Sequence, residues 1–320
     1  MLEVIVAKPI LCFYYLTYRC NAKCAFCDIY QRGGPLADTN RVKQHLQELT
    51  SFGLRYIDFT GGEPLLHPDL PELLLCADKL GFHTTVTTNC ILYPRRAQEL
   101  KGLVDFLHFS LDAAAAERHN GLRGVDCYHR VMESLDIAAE LGEKPDILMT
   151  VTQENFQQID PLWEIARKRK LMLILNPVFE YGENKLPDRE LAERMLRLPK
   201  RKYLYNNTAF LHLMKSGGNR PHHSRCKAVT AAVVISPQGE LLLPCFHHAV
   251  VKLDLSLGIK TARRTAEFRS ALQKQGKYHF CAGCAINCYF DPSFIYQPDW
   301  LFFRSMMAKT KYAVDKYLTS

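Results

Sequence analysis

Several features that would assign this 320-residue chain to a simple class are missing from it. No apolar run approaches the roughly 18–20 residues that cross a bilayer, so no membrane-spanning segment is predicted. The N-terminus lacks the basic, apolar and small-residue order of a signal peptide, because Glu3 and Lys8 interrupt its short apolar stretch. Glycine and proline, at 17 and 16 residues, are too few for a fibrous or disordered chain. The sequence therefore predicts a folded cytoplasmic protein without membrane association.

The net charge of +8 is not arranged as a nucleic-acid surface. Basic residues cluster at 167–170, 200–202 and 263–264, and none of these runs is interleaved with exposed aromatic residues. A solvated helix face accounts for the first run. We therefore expect no nucleic-acid partner.

Cysteine is the residue type in excess, with 12 copies in a chain that has no secretion signal. In a reducing compartment, spaced thiols indicate metal or redox chemistry rather than disulfide bonds. Eight of them fall into two groups, one near each end: Cys20, Cys24 and Cys27, and then Cys226, Cys245, Cys281, Cys284 and Cys288.

Between the two groups, short apolar runs alternate with amphipathic stretches. Strands are predicted at residues 10–16, 55–60, 83–88, 104–110, 146–152 and 171–177, and helices at 41–52, 70–80, 94–100, 128–141 and 156–170. Repeated strand-helix units indicate a parallel sheet with right-handed crossovers. Six units predict an α/β fold, an open partial (β/α)6 TIM barrel whose active site lies at the carboxyl ends of its strands.

The pattern changes after about residue 200. Residues 217–219 read as a loop or linker, and residues 231–235 and 240–243 as a β-hairpin across a four-residue turn. A helix follows through about residues 306–317. We therefore predict a barrel at residues 1–215 and a small C-terminal β-hairpin and helix domain at residues 216–320.

The first cysteine group has the spacing C-x3-C-x2-C, just past the first predicted strand. A loop can wrap three thiolates around one face of an iron–sulfur cubane and leave the fourth iron open for chemistry. The alternatives are a zinc knuckle, which normally needs four closed ligands, or three ordinary cysteines.

A second motif, Thr60-Gly61-Gly62-Glu63-Pro64, directly follows the second predicted strand. Paired glycines let the backbone approach a ligand closely. The carboxylate that follows them can accept hydrogen bonds from an ammonium group. Taken alone, such a segment would usually be a turn.

In these two motifs the sequence resembles the radical S-adenosylmethionine superfamily, over roughly residues 8–200. The resemblance implies that Cys20, Cys24 and Cys27 hold a [4Fe–4S] cluster whose open iron binds S-adenosylmethionine. It also implies that Phe26 contacts the adenine, and that Gly61, Gly62 and Glu63 bind the methionine amino group.

Weaker matches to the family follow at the ends of later strands. They imply cofactor contacts by Thr88, Asn89, Ser110 and Arg123, the last as a carboxylate clamp. The chain departs from the family at Cys90 and Ala113, where relatives usually carry glycine. Beyond the cluster, no catalytic residue can be assigned.

The second cysteine group resembles the auxiliary-cluster domain called twitch, the short form of SPASM. Cys226 precedes the predicted hairpin, Cys245 follows it, and Cys281 and Cys284 form a CxxC pair. Four thiolates would close an auxiliary [4Fe–4S] site, and zinc would accept the same set. Cys288 is a fifth candidate, either an alternative ligand or a free thiol.

Together these features predict an enzyme that cleaves S-adenosylmethionine reductively and takes a hydrogen atom from a substrate in a net oxidation. An auxiliary cluster would accept the electron, and flavodoxin or ferredoxin would supply the first one. A radical rearrangement or C–C or C–S bond formation stays open, on a peptide, lipid, tetrapyrrole or sugar. The short stretch before Ile10 disfavours a ribosomal peptide, and an apolar substrate is allowed. An iron–sulfur or zinc sensor without enzymatic activity is the alternative from another class.

Overall fold

The fold is described by a computed structural model over residues 8–179 and 187–318, and its first part is a run of parallel strands joined by helices. The strands are β1 (Leu11–Thr17), β2 (Tyr56–Gly61), β3 (His83–Thr88), β4 (Phe106–Ser110), β5 (Asp146–Val151), β6 (Leu173–Pro177) and β7 (Leu204–Asn206). The α/β partial barrel is confirmed, and the six predicted strands have ends within two residues of the expected positions. β7 has three residues, too few to give a recognisable apolar pattern.

Helices connect the strands and follow the last of them. In chain order they are α1 (Thr39–Thr50), α2 (Leu70–Lys79), α3 (Tyr93–Leu100), α4 (Ala116–Arg123), α5 (Tyr128–Glu140), α6 (Ile159–Arg169), α7 (Arg189–Leu196), α8 (Thr208–Lys215), α9 (Ala228–Ala231), α10 (Ile259–Ala262), α11 (Ala266–Lys274), α12 (Asn287–Ser293) and α13 (Trp300–Ala313). The five helices predicted between the strands correspond to α1, α2, α3, α5 and α6. The helix predicted at about residues 306–317 corresponds to α13, which begins earlier, at Trp300.

Helix α1 illustrates how the sequence specifies these elements. The Asp38 carboxylate accepts a hydrogen bond from the backbone N–H of Arg41 at 2.8 Å and so caps the helix N-terminus. Val42, Leu46 and Leu49, spaced three and four residues apart, are fully buried against the sheet.

The C-terminal hairpin extends the barrel sheet instead of forming a separate one. β8 (Ala232–Ile235) pairs in parallel with β1, and β9 (Glu240–Leu243) and β10 (Val251–Asp254) continue as antiparallel strands. The resulting ten-stranded sheet has the order β10-β9-β8-β1-β2-β3-β4-β5-β6-β7. The predicted hairpin is confirmed. The division at residues 215 and 216 stays a prediction, and the sheet runs across it.

The last helical segment reaches the amino end of the barrel strands. The Tyr312 hydroxyl and the Lys316 ammonium donate hydrogen bonds to the buried Asp146 carboxylate at the start of β5, at 2.5 Å and 2.7 Å. This segment therefore covers the amino ends and leaves the carboxyl ends of the strands for a site. Within the described residues, the longest apolar helix falls short of spanning a bilayer.

Candidate functional site

The loop that carries the first three cysteines lies at the carboxyl end of β1. Backbone hydrogen bonds from Lys23 N–H to the Arg123 carbonyl and from Ala25 N–H to the Leu122 carbonyl, both 3.0 Å, tie it to the end of α4. Cys20, Cys24 and Cys27 are all half-buried. The loop is thus fixed against the barrel by main-chain contacts, and its thiols stay accessible from one side.

A cavity of about 170 Å³ opens beside this loop. It is lined by every residue predicted to hold the first cluster and S-adenosylmethionine: Cys20, Cys24, Phe26, Cys27, Gly61, Gly62, Glu63, Thr88, Asn89, Ser110 and Arg123. These residues come from the ends of four strands and from α4, so only the fold brings them together. The cavity is also lined by Thr60, the first residue of the second motif, and by Ala22, Ile29, Tyr30 and Thr87, and no site role was predicted for these five residues.

The two glycines of the second motif have a structural role that the sequence did not indicate. A Cβ on Gly61 would lie 2.0 Å from the Thr17 carbonyl oxygen, and one on Gly62 would lie 2.1 Å from the Arg19 carbonyl oxygen. Gly61 also has a φ of +140°, which disfavours other residues. The glycines therefore let the end of β2 pack directly on the loop that follows β1, in addition to lining the cavity.

Glu63 is buried at the centre of this arrangement. Its carboxylate accepts hydrogen bonds from the Thr88 hydroxyl at 2.8 Å, from the Asn89 backbone N–H at 2.9 Å and from the Leu65 backbone N–H at 3.1 Å. Burial raises the pKa of Glu63 to about 7 in spite of these donors. A cationic ligand beside Glu63 would stabilise its charged carboxylate. The charged carboxylate is also the form that accepts hydrogen bonds from an ammonium group.

Thr88 and Asn89 thus act on Glu63 as well as lining the cavity. The Asn89 side-chain amide donates a hydrogen bond to the Asn21 side-chain oxygen at 2.7 Å, which links the end of β3 to the cysteine loop. The next residue, Cys90, has a φ of 66°. This left-handed conformation favours glycine, so Cys90 holds a backbone conformation that is uncommon for its residue type.

Arg123 lies between the cysteine loop and a buried acid. Its Nε is 2.6 Å from Asp112 Oδ2, an ion pair that is not aligned as a hydrogen bond, and its Nη1 donates to Cys24 Sγ at 3.7 Å. Burial opposes its charge, but Asp112 raises the pKa of Arg123 above its usual value. Its guanidinium is 5.5 Å from the centre of the Phe26 ring. Asp112, which the sequence analysis did not single out, therefore positions a permanent cation at the site.

The donor set fits an iron–sulfur cluster better than a zinc ion. Across residues 8–179 and 187–318, no three His, Cys, Asp or Glu side chains are grouped closely enough to hold one metal ion. A tetrahedral zinc ion with bonds of about 2.3 Å would hold its thiolate sulfurs within roughly 4 Å of one another. In a cubane each thiolate binds a different iron, so the thiolate sulfurs lie farther apart. Burial raises the pKa of Cys20 to about 11, so a cluster would have to displace its proton.

The second cysteine group forms an enclosed site. Cys226, Cys245, Cys281 and Cys284 line one cavity of about 20 Å³, which has room for about one water molecule. Burial raises the pKa of all four thiols, to about 12 for Cys245 and Cys284. An all-thiolate set suits an iron–sulfur cluster. Because the space is so small, we expect these loops to fold around a cluster rather than receive one afterwards.

Residues 217–219, predicted as a loop or linker, are packed against this site. A Cβ on Gly218 would lie 2.3 Å from the Gly283 carbonyl oxygen. The Asn219 side-chain amide donates hydrogen bonds to the Gly276 and Cys281 carbonyls, at 2.7 Å and 3.0 Å. The segment is thus a fixed support for the CxxC loop and does not act as a flexible linker.

Cys288 does not line the four-thiol cavity. It lines a different one, of about 280 Å³, inside the mouth of the barrel. We call this one the barrel cavity and the cavity of about 170 Å³ beside the cysteine loop the cofactor cavity. The two share a wall, because both are lined by Phe26, Cys27, Thr60 and Gly61. The fifth cysteine thus lies in the barrel, next to the cavity of the first cysteine group.

Comparison with known sequences agrees with the motifs. The sequence model of the Radical SAM superfamily matches residues 14–164, slightly less than half of the chain, and the match includes both motifs. An Fe-coproporphyrin III synthase from Methanosarcina barkeri is 28% identical over 173 residues, which are 51% of this chain and 42% of that protein. A probable GTP 3′,8-cyclase from Methanosarcina acetivorans is 30% identical over 166 residues, 48% of this chain and 49% of that protein. The chain thus matches less than half the length of these two curated relatives.

Solved structures share the fold over nearly the whole chain. SuiB of Streptococcus suis, bound to its precursor peptide SuiA, superposes with a TM-score of 0.66 at 18% identity, over 92% of this chain and 76% of that one. The protein anSMEcpe with bound AdoMet and the Cp18Cys peptide superposes with a TM-score of 0.63 at 15% identity, over 94% and 99%. At such low identity these likenesses concern the fold alone.

Proposed function

We propose that this chain is a radical S-adenosylmethionine enzyme that carries out a net oxidation of its substrate. The observation that carries the proposal is that one cavity at the carboxyl ends of the strands is lined by three thiols and by every predicted cofactor contact. When bound there, a [4Fe–4S] cluster and S-adenosylmethionine supply a 5′-deoxyadenosyl radical, which removes a hydrogen atom from a substrate.

The residues of the chain bind and orient. Glu63 accepts from the ammonium group of S-adenosylmethionine, and Thr88 and the Asn89 backbone fix the Glu63 carboxylate in place. Arg123, held by Asp112, offers a cation to the cofactor carboxylate and compensates the negative charge of the thiolates. Ser110 and Phe26 complete the wall as contacts for the ribose and adenine.

The four-thiol site is the reason for proposing oxidation. A substrate that has lost a hydrogen atom must lose one more electron to become an oxidised product. Cys226, Cys245, Cys281 and Cys284 would hold an electron acceptor in a closed all-thiolate site, which suits electron transfer better than ligand binding. A flavodoxin or ferredoxin is the proposed source of the electron that starts the reaction.

The substrate is proposed as a peptide or a small molecule. SuiB and anSMEcpe, which share the fold, are peptide-bound in their structures, and this supports a peptide against the expectation from the N-terminal sequence. The curated relatives include a synthase and a cyclase, so a rearrangement or bond-forming reaction is the second candidate.

Anaerobic reconstitution tests the proposal. The protein loaded with iron and sulfide, then given dithionite and S-adenosylmethionine, should form 5′-deoxyadenosine and methionine. Full iron loading without 5′-deoxyadenosine would contradict the enzyme and favour the iron–sulfur sensor. Zinc in place of iron after anaerobic expression would favour the zinc sensor.

A further inference from the structure

The barrel cavity beside the cofactor site contains a carboxyl group without a partner. Asp58 lies on β2 and lines the cavity, and its Oδ1 is buried with no hydrogen-bond partner in the described part of the chain. Burial is the one cause that raises its pKa, to about 7. A charged or hydrogen-bonding neighbour that would stabilise the carboxylate is therefore missing from the described protein.

Among the described residues that line the cavity around Asp58, none brings a positive charge to it, and a neighbouring cation, Arg32, lies over the ring of Phe246. Its described lining includes neither lysine nor arginine, and burial lowers the pKa of the one histidine there, His247, to about 3. The second carboxyl group of the lining, Asp28, already has a cation nearby, since it lies 3.8 Å from the Arg32 guanidinium. A carboxylate or phosphate of a substrate beside Asp58 would therefore meet a second acid, and the nearby Arg32 is already paired with that acid.

The rest of the lining suits an aromatic or aliphatic group of modest size. Phe13, Phe179 and Phe246 contribute rings, and Tyr15 stacks on Phe246 with ring centres 4.1 Å apart. A volume of 280 Å³ lies just below the roughly 300–1,000 Å³ of typical small-molecule pockets, so it admits a side chain or single ring.

We propose that Asp58 is a specificity-determining residue that selects substrates presenting a cation or hydrogen-bond donor, such as an amine, at the end of an apolar group. This inference rests on the proposed function, because it takes the barrel cavity as the place where the substrate meets the cofactor. A donor bound to Asp58 would satisfy the carboxyl group that the chain leaves without a partner.

The test uses three molecules of one shape and different charge: benzylamine, benzyl alcohol and benzoate. Each is titrated calorimetrically into the anaerobically reconstituted holoenzyme saturated with S-adenosylmethionine. We expect benzylamine to bind at least about tenfold more tightly than benzoate, with benzyl alcohol between them. The isosteric variant Asp58→Asn should reduce this preference to within about threefold. Asp28→Asn, at the same cavity, should keep it because Arg32 already compensates Asp28.

Iron content and S-adenosylmethionine affinity of Asp58→Asn should equal those of the wild type. A loss of either would place the role of Asp58 in the cofactor site and overturn the inference. A preference for benzoate, an undiminished preference in Asp58→Asn, or no benzylamine binding up to about 10 mM would overturn it as well. Dithionite-driven 5′-deoxyadenosine formation, measured without any of the three molecules, tests the proposed function separately.

Discussion

The three cysteines after β1 and the four of the C-terminal region meet the rest of the molecule in different ways. The first group is half-buried, on a loop held by backbone contacts, and opens into a cavity of 170 Å³ that many polar groups share. The second group surrounds 20 Å³, with Cys226, Cys245 and Cys281 each less than a tenth exposed. The first arrangement leaves room for a ligand beside the thiols, and the second does not. Under the proposed function, the first group would be the site of chemistry and the second would hold the electron acceptor.

The largest effect is expected when the first cysteine group is removed. A Cys20→Ala, Cys24→Ala, Cys27→Ala triple variant should lose about half of roughly eight irons per chain and reduce 5′-deoxyadenosine formation to background. Iron analysis and chromatography of the products measure the two effects. Cys76→Ala, on the half-buried face of α2, is the matched control and should change neither. An unchanged iron count in the triple variant would contradict the assignment.

Removing the second group should have the same effect on iron content but a different effect on 5′-deoxyadenosine formation. Cys281→Ala with Cys284→Ala should also lose about half of the iron but keep some 5′-deoxyadenosine formation, uncoupled from substrate oxidation. Because cluster binding contributes folding free energy, circular dichroism must first show an intact fold. Normal substrate turnover by the folded double variant would mean that the second site has no part in electron transfer.

The polar side of the first cavity can be tested without removing any metal ligand. Glu63→Ala should weaken S-adenosylmethionine binding by about 10- to 150-fold, since a hydrogen bond to a charged group contributes about 1.5–3 kcal/mol. Calorimetry on the reconstituted protein gives the affinity, and unchanged iron shows that both clusters assemble. Glu99→Ala, exposed on α3, is the control. If Glu63→Ala and the wild type bind S-adenosylmethionine equally well, the segment Gly61-Gly62-Glu63 is only a turn and does not bind the cofactor.

A smaller effect is expected one step farther from the cofactor. Thr88→Val removes the hydroxyl that donates to Glu63 at 2.8 Å and nearly preserves side-chain volume. The Asn89 and Leu65 N–H groups would still hold the Glu63 carboxylate, so the affinity for S-adenosylmethionine should fall less than in Glu63→Ala, by about 2- to 13-fold. If Thr88 acts through Glu63, the double variant with Glu63→Ala should bind no more weakly than Glu63→Ala alone. Additive losses would mean that Thr88 contacts the cofactor independently.

The smallest effect concerns the fifth C-terminal cysteine. Cys288→Ala should keep the full iron content and unaltered 5′-deoxyadenosine formation, because Cys288 lines the barrel cavity and not the four-thiol one. Metal analysis and absorbance of the cluster measure this. A loss of about four irons would return Cys288 to the ligand set.

The sequence could predict elements whose signal is local. Strands such as His83–Thr88 are marked by consecutive β-branched residues, and the cysteine spacing is visible without any fold. The contacts that organise the site are not local. Asp112 reaches Arg123 and Thr88 reaches Glu63 only through the packing of neighbouring strand ends. Whether Cys288 lines the barrel cavity or the four-thiol cavity likewise depends on how α12 packs against the barrel. The spacing of four residues between Cys284 and Cys288 does not reveal this packing.

The pairing of β8 with β1 has a spectroscopic consequence. The loop that carries Cys20, Cys24 and Cys27 leaves β1, and Cys245 follows the hairpin that begins with β8, so a hydrogen-bonded ladder from Leu11 to Tyr14 connects the two regions. A ladder of this kind fixes relative position far more tightly than a hinge between separate bodies. Two reduced clusters held this way would have one magnetic coupling rather than a distribution. The paramagnetic resonance spectrum of the doubly reduced protein, frozen without S-adenosylmethionine, should then show a single, narrow spin–spin splitting.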